Sequence, residues 1–442
     1  MATYGRGRHI APSIRSVLGQ SLQDFELLVV GDHCTDETAA VVAAFASPKI
    51  RWINLATRAA SQSGPNNAGI AAARGRIIAY LGHDDVWEPD HLASIGALFD
   101  AAPDLDFAVG GAIYHMPNGA DGSLVTGLFE DDSAKHDHFF PPSSFAHRHS
   151  VCARIGLWQM AADIRAPVDA DFLLRAAGAG LHFASTGRIT LHKFAAGHRY
   201  LSYLEHASDE QNTLLASLGH PDHSQRLDHI VAASKRDNTF MIARHATYAD
   251  FEPGELARQN ATRKGLVQAA PTSLGRGAVL HQEPSFCAVD WRDAPEDGIR
   301  WTTLNPMPKM LLPYTGPSRV TVSIEAVHAN KAALRLLVFR CNGSDHAVRS
   351  ARITPRGSDW TAQFDTVVRL RPDGHSILEF RLRPAQMPTR THRGIGIGPI
   401  RLAPETLTSR VARHIAAAAA QMRRGLRNLR GLTPIRRGSH RP

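Results

Sequence analysis

The sequence predicts an α/β domain with a mostly parallel sheet, followed by an antiparallel β-sandwich domain. Over residues 1–115, apolar residues at helical spacing alternate with short apolar runs that are typical of buried strands. From about residue 270 onward, apolar residues alternate singly with polar ones, as they do in half-buried antiparallel strands. The length of 442 residues is sufficient for two to three domains, each with its own core.

The elements of the first region follow from local patterns in the sequence. Helical spacing, together with a capping aspartate or an opening proline, predicts helices at Ile10–Leu18, Asp36–Phe45, Pro65–Gly75 and Pro89–Phe99. Short apolar runs predict strands at Phe25–Val30, Ile50–Leu55 and Ile77–Leu81. In a parallel sheet of this kind, ligands bind beyond the carboxyl ends of the strands.

The second region has the two-residue period of β-strands. Val320, Val322 and Ile324 alternate with polar residues, and further strands are predicted at Leu334–Phe339 and Ile377–Leu382. Asn342-Gly343 and Asp373-Gly374 are typical of hairpin turns. We therefore assign 270–404 to the β-sandwich, with a polar, helix-prone connector at 206–269.

Composition excludes several classes of protein. With 43% hydrophobic residues the chain is not mainly disordered, and no apolar run approaches the roughly 18 residues that span a bilayer. The four cysteines lie far apart, which argues against a zinc or disulfide framework and favours a reducing cytoplasm.

The basic charge belongs to the C-terminal tail. Residues 405–442 contain nine arginines and one glutamate, so they carry +8 of the net +9. If this segment is helical, Leu407, Val411, Ile415, Met422, Leu426 and Leu429 fall within an arc of about 100°. Such a helix would bind an anionic membrane and place a cytoplasmic protein at the inner face; the alternative is a solvated tail. Nucleic acid is not an expected partner, because the body lacks a basic groove.

Acidic residues follow two of the predicted strands. Asp32 comes directly after the strand that ends at Val30-Gly31, and Asp84-Asp85 follow the strand that ends at Leu81. Carboxylates at this edge of a sheet can hold a divalent cation and hydrogen-bond a nucleotide. The alternative is a solvated acidic turn.

The surrounding residues resemble a known family. The stretch SVLGQSLQDFELLVVGDHCTD at 16–36 is similar to SVLxQTxxxxELIVVDDGSTD, which is common at the opening of family 2 glycosyltransferases. NAGIAAARG at 67–75, RIIAYLGHDD at 76–85 and WEP at 87–89 match later motifs of that family in the same order. The resemblance implies a GT-A fold, with a Rossmann-like sheet, over residues 1–205.

The resemblance also implies site residues. The segment Asp169-Ala170-Asp171-Phe172-Leu173-Leu174-Arg175 matches the acceptor side of the family and makes Asp169 the catalytic base; the alternative is a carboxylate that only complements a helix dipole. Asp85 is expected to hold Mg²⁺ or Mn²⁺. The residues implied in binding the donor nucleotide are Thr3, Tyr4, Asp32, Asn66 and Asp84.

Several positions depart from the family pattern or leave a choice open. Gly31 and Val168 stand where acids are usual, and Asn66 stands where arginine is usual. Thr3-Tyr4 match only the end of the family's first strand, so we expect that this strand is truncated and that the true start lies upstream. A family residue that meets the diphosphate or metal corresponds to His192, Lys193 or His198.

The predicted sandwich resembles modules appended to bacterial cell-surface polysaccharide glycosyltransferases. The residues that carry this resemblance are Trp291, the stretch EDGIRW at 296–301 and RGIGIGPI at 393–400. Exposed tryptophan could stack on sugar rings, although core packing is the commoner role. An accessory role is therefore expected.

Together these features predict a metal-dependent, inverting hexosyltransferase. Its donor would be a nucleotide sugar and its acceptor a glycan or lipid-linked hydroxyl in surface glycan or polysaccharide synthesis. The alternative is a degenerate relative that only binds glycan or nucleotide. A nucleotidyltransferase is disfavoured, because the Gly- and Lys/Arg-rich loop of such enzymes is lacking near the start.

Overall fold

A computed structural model of the chain divides into two compact units, Met1–Gln268 and Ala269–Pro442. The residues that the structure describes are 1–7, 9–115, 124–130, 140–194, 199, 201–204, 208–237, 239–241, 248–266, 272–273, 278–280, 300–301, 309–312, 314–315, 319–328, 331–335, 337–346, 353–372, 375–382 and 396–404. Within these residues, no helix combines the length and the apolar character needed to cross a membrane.

The first unit begins with alternating strands and helices. They are β1 Ala2–Thr3, α1 Ala11–Leu18, β2 Leu27–Gly31, α2 Thr38–Ala43, β3 Ile50–Asn54, α3 Ser63–Ala72, β4 Ile77–Ala79, β5 Val86–Trp87 and α4 His91–Ala101. The predicted helices and strands of this region are confirmed, with boundaries shifted by a few residues. Ile10, Ile14 and Val17 are buried, as the helical spacing of α1 requires.

The remainder of the first unit has longer strands and five further helices in the described residues. The elements are β6 Phe107–Tyr114, β7 Leu124–Thr126, β8 Phe145–Arg148, α5 Val151–Ile155, α6 Val168–Gly178, β9 Phe183–Lys193, α7 Asp209–Ser217, α8 His223–Arg236, β10 Phe240–Met241 and α9 Glu255–Lys264. The predicted connector, 206–269, thus contributes α7, α8 and α9, which belong to the first compact unit.

Two sheets organise this unit. Strands β1, β2 and β3 are all parallel, with Thr3 opposite Gly31 and Gly31 opposite Asn54. The second sheet is mixed: β6 runs parallel to β9 but antiparallel to β7 and β8, and β5 pairs antiparallel with β9. Every residue of β6 is buried, which explains its continuous apolar sequence. The proposal that the first strand is truncated stays a prediction.

The second unit contains two antiparallel sheets. One is formed by β12 Ala278–Leu280, β13 Arg300–Trp301, β16 Arg319–His328, β19 Thr354–Arg356, β20 Asp359–Arg369 and β22 Gly396–Pro404. The other is formed by β14 Lys309–Leu312, β17 Leu337–Cys341, β18 Ser344–His346 and β21 Ser376–Leu382, while β11 Thr272–Ser273 and β15 Tyr314–Thr315 make a parallel pair. Ile324 and Phe364 from the first sheet share one core with Phe339 and Phe380 from the second, as in a β-sandwich.

One element of the second unit was predicted wrongly. Leu334–Phe339 was expected to be a strand, but α10 spans Lys331–Arg335 and strand β17 begins only at Leu337. The run Lys-Ala-Ala-Leu-Arg consists of strong helix formers, and this local preference outweighs the apolar pattern. The turn at Asn342-Gly343 is confirmed, since both residues have positive φ, 52° and 80°, between β17 and β18.

Some predictions concern residues outside the described ranges. They are the turn at Asp373-Gly374, the residues Trp291 and His198, the stretches 296–299 and 393–395 of the sandwich motifs, and the tail at 405–442.

Candidate functional site

The centre of the site is a fully buried carboxylate, that of Asp85. Its Oδ2 accepts hydrogen bonds from Ser143 Oγ (2.5 Å) and from Lys193 Nζ (2.7 Å), and its Oδ1 accepts one from the backbone N–H of Phe194 (3.0 Å). The pairing of Val86 with His192 between β5 and β9 brings these segments together. Burial raises the pKa of Asp85, although the Lys193 ammonium opposes that shift.

The neighbouring Asp84 has a different environment. Its carboxylate has no hydrogen-bond partner among the residues that the structure describes, whereas its backbone carbonyl accepts from Gln211 Nε2 at 3.1 Å. Burial opposes ionisation, yet the positive charges of Lys193, Arg6 and Lys264 keep the pKa of Asp84 below its usual value. Asp84 is therefore an available anionic ligand in a cationic environment.

Arg6 is held in place by the segment after β9. Its Nη1 donates to the Ser202 carbonyl (2.8 Å), and its guanidinium carbon lies 4.0 Å from the centre of the Tyr203 ring. Burial lowers the pKa of His83 to about 3, so this imidazole is neutral at pH 7 and can accept from Arg6 Nε at 3.4 Å. The positive charge next to Asp84 is thus fixed by backbone and ring contacts.

Asp169 lies in the first turn of α6 and acts electrostatically on the same lysines. Its Oδ1 accepts from the backbone N–H of Ala170 at 3.0 Å. Burial lowers the pKa of Lys193, but Asp85, Asp84 and Asp169 together raise it above its usual value. For Lys264, at the end of α9, burial prevails over Asp84 and Asp169, and its pKa is lowered. These acids and lysines form one charged group, to which four separate segments contribute.

The residues predicted to bind the donor nucleotide lie around the end of β2. Asp32 is buried and accepts a hydrogen bond from the backbone N–H of Ala59 (2.6 Å), and its own N–H donates to the Thr3 carbonyl (2.8 Å). Thr3 Oγ1 and Asn66 Nδ2 are buried and have no partner within the described residues. The Arg58 guanidinium lies 4.0 Å from the ring centre of Tyr4. Unpaired buried polar atoms are costly, so they are candidates for ligand contacts.

Comparison with known proteins identifies the family of this part of the chain. The sequence model of "Glycosyl transferase family 2" matches residues 1–151. These residues are a family 2 glycosyltransferase domain.

Several other proteins are similar to part of this chain. An uncharacterized glycosyltransferase, alr2836, of Nostoc sp. is 34% identical over 172 residues, which are 35% of this chain and 51% of the relative. The succinoglycan biosynthesis protein ExoO of Rhizobium meliloti is 42% identical over 102 residues, 23% of this chain and 29% of ExoO. The UDP-Glc:alpha-D-GlcNAc-diphosphoundecaprenol beta-1,3-glucosyltransferase WfgD of Escherichia coli is 36% identical over 87 residues, 20% of this chain and 34% of WfgD.

These matches are partial. The chain spans about half the length of the first of these relatives and about a third of the other two. Among solved structures, the mannosyltransferase PcManGT from Pyrobaculum calidifontis, in complex with GDP-Man and Mn2+, is 16% identical with a TM-score of 0.36, over 53% of this chain and 73% of that one.

Local structure accommodates two departures from the family motif. Gly31 replaces an acid of the motif, and a Cβ at this position would lie 2.6 Å from both Asn54 Oδ1 and Trp52 Cη2, so an acid here would require these two side chains to move. His33 stands where the motif has glycine and keeps the left-handed backbone, with φ of 59°. The turn of the glycosyltransferase domain is therefore retained without the motif's glycine.

The first unit also contains site residues that sequence reasoning missed or left open. Of the alternatives His192, Lys193 and His198, Lys193 contacts Asp85, while His192 contacts Glu88. Ser143, Arg6 and Lys264 were not predicted. The position of Lys193 at the end of a strand was a weak indication of a site residue. Lys264 lies within a polar helical segment, and nothing in the sequence around it indicated a role in the site.

Proposed function

We propose that the chain is an inverting glycosyltransferase, which transfers a hexosyl group from a nucleoside diphosphate donor to a hydroxyl group in surface glycan or polysaccharide synthesis. The observation that carries this proposal is the convergence of Asp84 and Asp169 with Arg6, Lys193 and Lys264 in a unit whose residues 1–151 match this family. The relatives named for succinoglycan biosynthesis and for a glucosyltransferase support the substrate class.

The positive side chains suit the leaving group. As the bond between the sugar and the diphosphate breaks, negative charge develops on the departing phosphate oxygens. Arg6, Lys193 and Lys264 would stabilise that charge, because they are held near Asp84 before the donor binds. Thr3, Tyr4, Asp32 and Asn66 would contact the nucleoside, with Thr3 Oγ1 and Asn66 Nδ2 supplying their unused hydrogen-bonding capacity.

A divalent cation fits Asp84 better than Asp85. Both oxygens of Asp85 already accept hydrogen bonds, and Lys193 occupies the position from which a cation would approach Oδ2. We therefore move the proposed metal contact from Asp85 to Asp84. Bound there, Mg²⁺ or Mn²⁺ would act as a Lewis acid on the diphosphate.

Asp169 is the proposed general base. Its carboxylate would take the proton of the acceptor hydroxyl while the acceptor oxygen forms a bond to the anomeric carbon. The bond from that carbon to the diphosphate breaks on the opposite side, its electron pair leaves with the phosphate oxygen, and the configuration inverts. The position of Asp169 near Lys193 and Lys264, which would face the phosphates, supports this assignment.

The proposal is tested by screening nucleotide sugars for metal-dependent hydrolysis, and then for transfer to glycan and lipid-linked acceptors. With a verified pair, Asp169→Asn should lower kcat by about 10²-fold or more. Asp171→Asn is the matched control, since Asp171 lies in the same turn but pairs with Arg175 Nε at 2.9 Å. Unchanged turnover in Asp169→Asn would reject the base; absence of turnover with every donor would favour the degenerate, non-catalytic alternative.

The site of action is a separate proposal. We propose that residues 405–442 bind the protein to the inner face of an anionic membrane, where a lipid-linked acceptor would be reached. Full-length protein should co-sediment with liposomes that contain anionic lipid, and a chain ending at residue 404 should not. Equal sedimentation of both would reject this role of the tail.

A further inference from the structure

A second cluster of titratable side chains lies in the first unit, centred on Glu88. Its Oε1 is 2.5 Å from Nε2 of His192 and 2.7 Å from Nε2 of His223. All three residues are buried, with exposed fractions of 5%, 1% and 8%. They come from three segments: the residue after β5, strand β9 and the first residue of α8.

This cluster is distinct from the site around Asp85. His192 and Lys193 are consecutive residues of β9, so their side chains point to opposite faces of the sheet. Lys193 reaches Asp85 on one face, and His192 reaches Glu88 and His223 on the other. A ligand of the cluster therefore does not share the proposed diphosphate site.

The donor set and its geometry suit a transition-metal ion. Two imidazole nitrogens and one carboxylate are a common set of three protein ligands for Zn²⁺, with water as the fourth ligand. The three ligand atoms lie within 4.8 Å of one another. Zinc bonds of about 2.0–2.1 Å require ligand atoms about 3.3 Å apart, so the two contacts to Glu88 need to lengthen by less than about 1 Å.

A fourth residue, His115, contacts the cluster through His192 and would not itself bind the metal. Nδ1 of His192 lies 2.8 Å from Nε2 of His115, and the two rings stack with centroids 5.1 Å apart. Histidines that bind metals almost always use their other ring nitrogen in a hydrogen bond, which fixes the tautomer and the ring orientation. His115 provides that contact, so His192 is oriented with Nε2 toward Glu88.

From this geometry we propose that Glu88, His192 and His223 bind one Zn²⁺ ion, which fixes the start of helix α8 to the sheet. The ion is separate from the Mg²⁺ or Mn²⁺ of the donor site. An imidazole that binds a metal is neutral, so the three ligands of the bound ion would carry one buried negative charge, that of Glu88, which a divalent cation would compensate. The proposal does not depend on transferase activity.

The test is a titration of the full-length chain with Zn²⁺ alone as the probe. The affinity tag is removed, bound metal is stripped with a chelator, and excess Mg²⁺ is present to occupy the donor site. We expect one tightly bound Zn²⁺ per chain and an increase in Tm on binding. His223→Ala and Glu88→Gln should each weaken binding by about 100-fold or more, and His115→Phe by about 10- to 100-fold.

His220→Ala is the matched control, because His220 is an exposed histidine three positions before His223 in the sequence. Its ring lies 3.6 Å from the Asp222 carboxylate and is not part of the cluster. It should bind Zn²⁺ as the wild type does. Wild-type protein that binds no Zn²⁺, or affinities unchanged in both ligand variants, would overturn the proposal. If the variants fail to fold, Co²⁺ bound to the wild type decides: strong d–d bands of a four-coordinate ion support the site, and their absence rejects it.

Discussion

Lys193 Nζ lies 2.7 Å from Oδ2 of Asp85, and the two residues are 108 positions apart in the sequence. The Asp85 side chain is completely buried and that of Lys193 is 18% exposed. Burial of a charged carboxylate is costly in free energy unless a cation and hydrogen bonds compensate the loss of water. The ion pair therefore ties the loop before β5 to the end of β9, next to the proposed diphosphate site.

Lys193→Met should destabilise the protein by about 3–5 kcal/mol at pH 7, because it leaves the Asp85 carboxylate buried without its cation. Urea unfolding measures this loss. Combining it with Asp85→Asn, which removes the uncompensated charge, should recover part of the stability. Arg154→Met is the control: Arg154 lies 2.7 Å from Asp106, but its side chain is 51% exposed, so we expect about 1 kcal/mol or less. Equal losses in the two single variants would contradict the prediction.

Substitution of two adjacent asparagines of α3 should affect different properties: stability for Asn67 and nucleotide binding for Asn66. Asn67 Nδ2 donates to the Trp158 carbonyl (2.9 Å), and its Oδ1 accepts from the Trp158 N–H (3.0 Å). Asn67→Ala leaves both backbone groups unpaired and should cost about 2–3 kcal/mol in unfolding free energy.

Asn66→Ala is the counterpart, since Asn66 Nδ2 has no partner among the described residues. It should change stability by about 0.5 kcal/mol or less but weaken binding of the donor nucleotide, as measured by calorimetry. If Asn66→Ala destabilised the domain as much as Asn67→Ala does, Asn66 would have a structural role, and the proposal that it contacts the nucleotide would be rejected.

Stability should fall as the pH drops below about 6.5. Burial lowers the pKa of His91 to about 3 and that of His147 to about 4, from 6.5. Between these values the unfolded chain binds more protons than the folded one, so the stability present above pH 6.5 is lost progressively toward pH 3. Each such histidine contributes about 1.4 kcal/mol per pH unit.

His91→Gln tests this pH dependence. His91 is buried between the Trp87 ring, stacked at 4.2 Å, and Thr190 Oγ1 at 2.8 Å. Glutamine cannot take up the proton, so the slope of unfolding free energy against pH should decrease by about 1.4 kcal/mol per unit. His220→Gln, which removes an exposed histidine, should leave the wild-type slope. A slope unchanged by His91→Gln would mean that acid lability arises elsewhere.

Local patterns were sufficient for much of the fold but for less of the site. The apolar run at β2 and the spacing of Ile10, Ile14 and Val17 predicted their elements, because burial imposes those periods. Leu334 is a buried residue of helix α10, and a short apolar run of this kind does not distinguish a helix from a strand. Lys264 was missed for a different reason: its role depends on contacts with Asp84 and Asp169 across tertiary structure, and no local pattern encodes them.

Lys264 therefore provides the most direct test of the assembled site. Because burial lowers the pKa of Lys264 despite the nearby acids Asp84 and Asp169, a bound diphosphate should stabilise its ammonium form. Lys264→Ala should raise the Kd of UDP or GDP, whichever the wild type binds more tightly, by about 10-fold, and the salt dependence of binding should become shallower. Arg258→Ala is the control on the same helix, since the only hydrogen bond described for the Arg258 side chain goes to the Pro253 carbonyl, at 3.4 Å. An equal Kd for Lys264→Ala and wild type would show that α9 does not contribute to the diphosphate site.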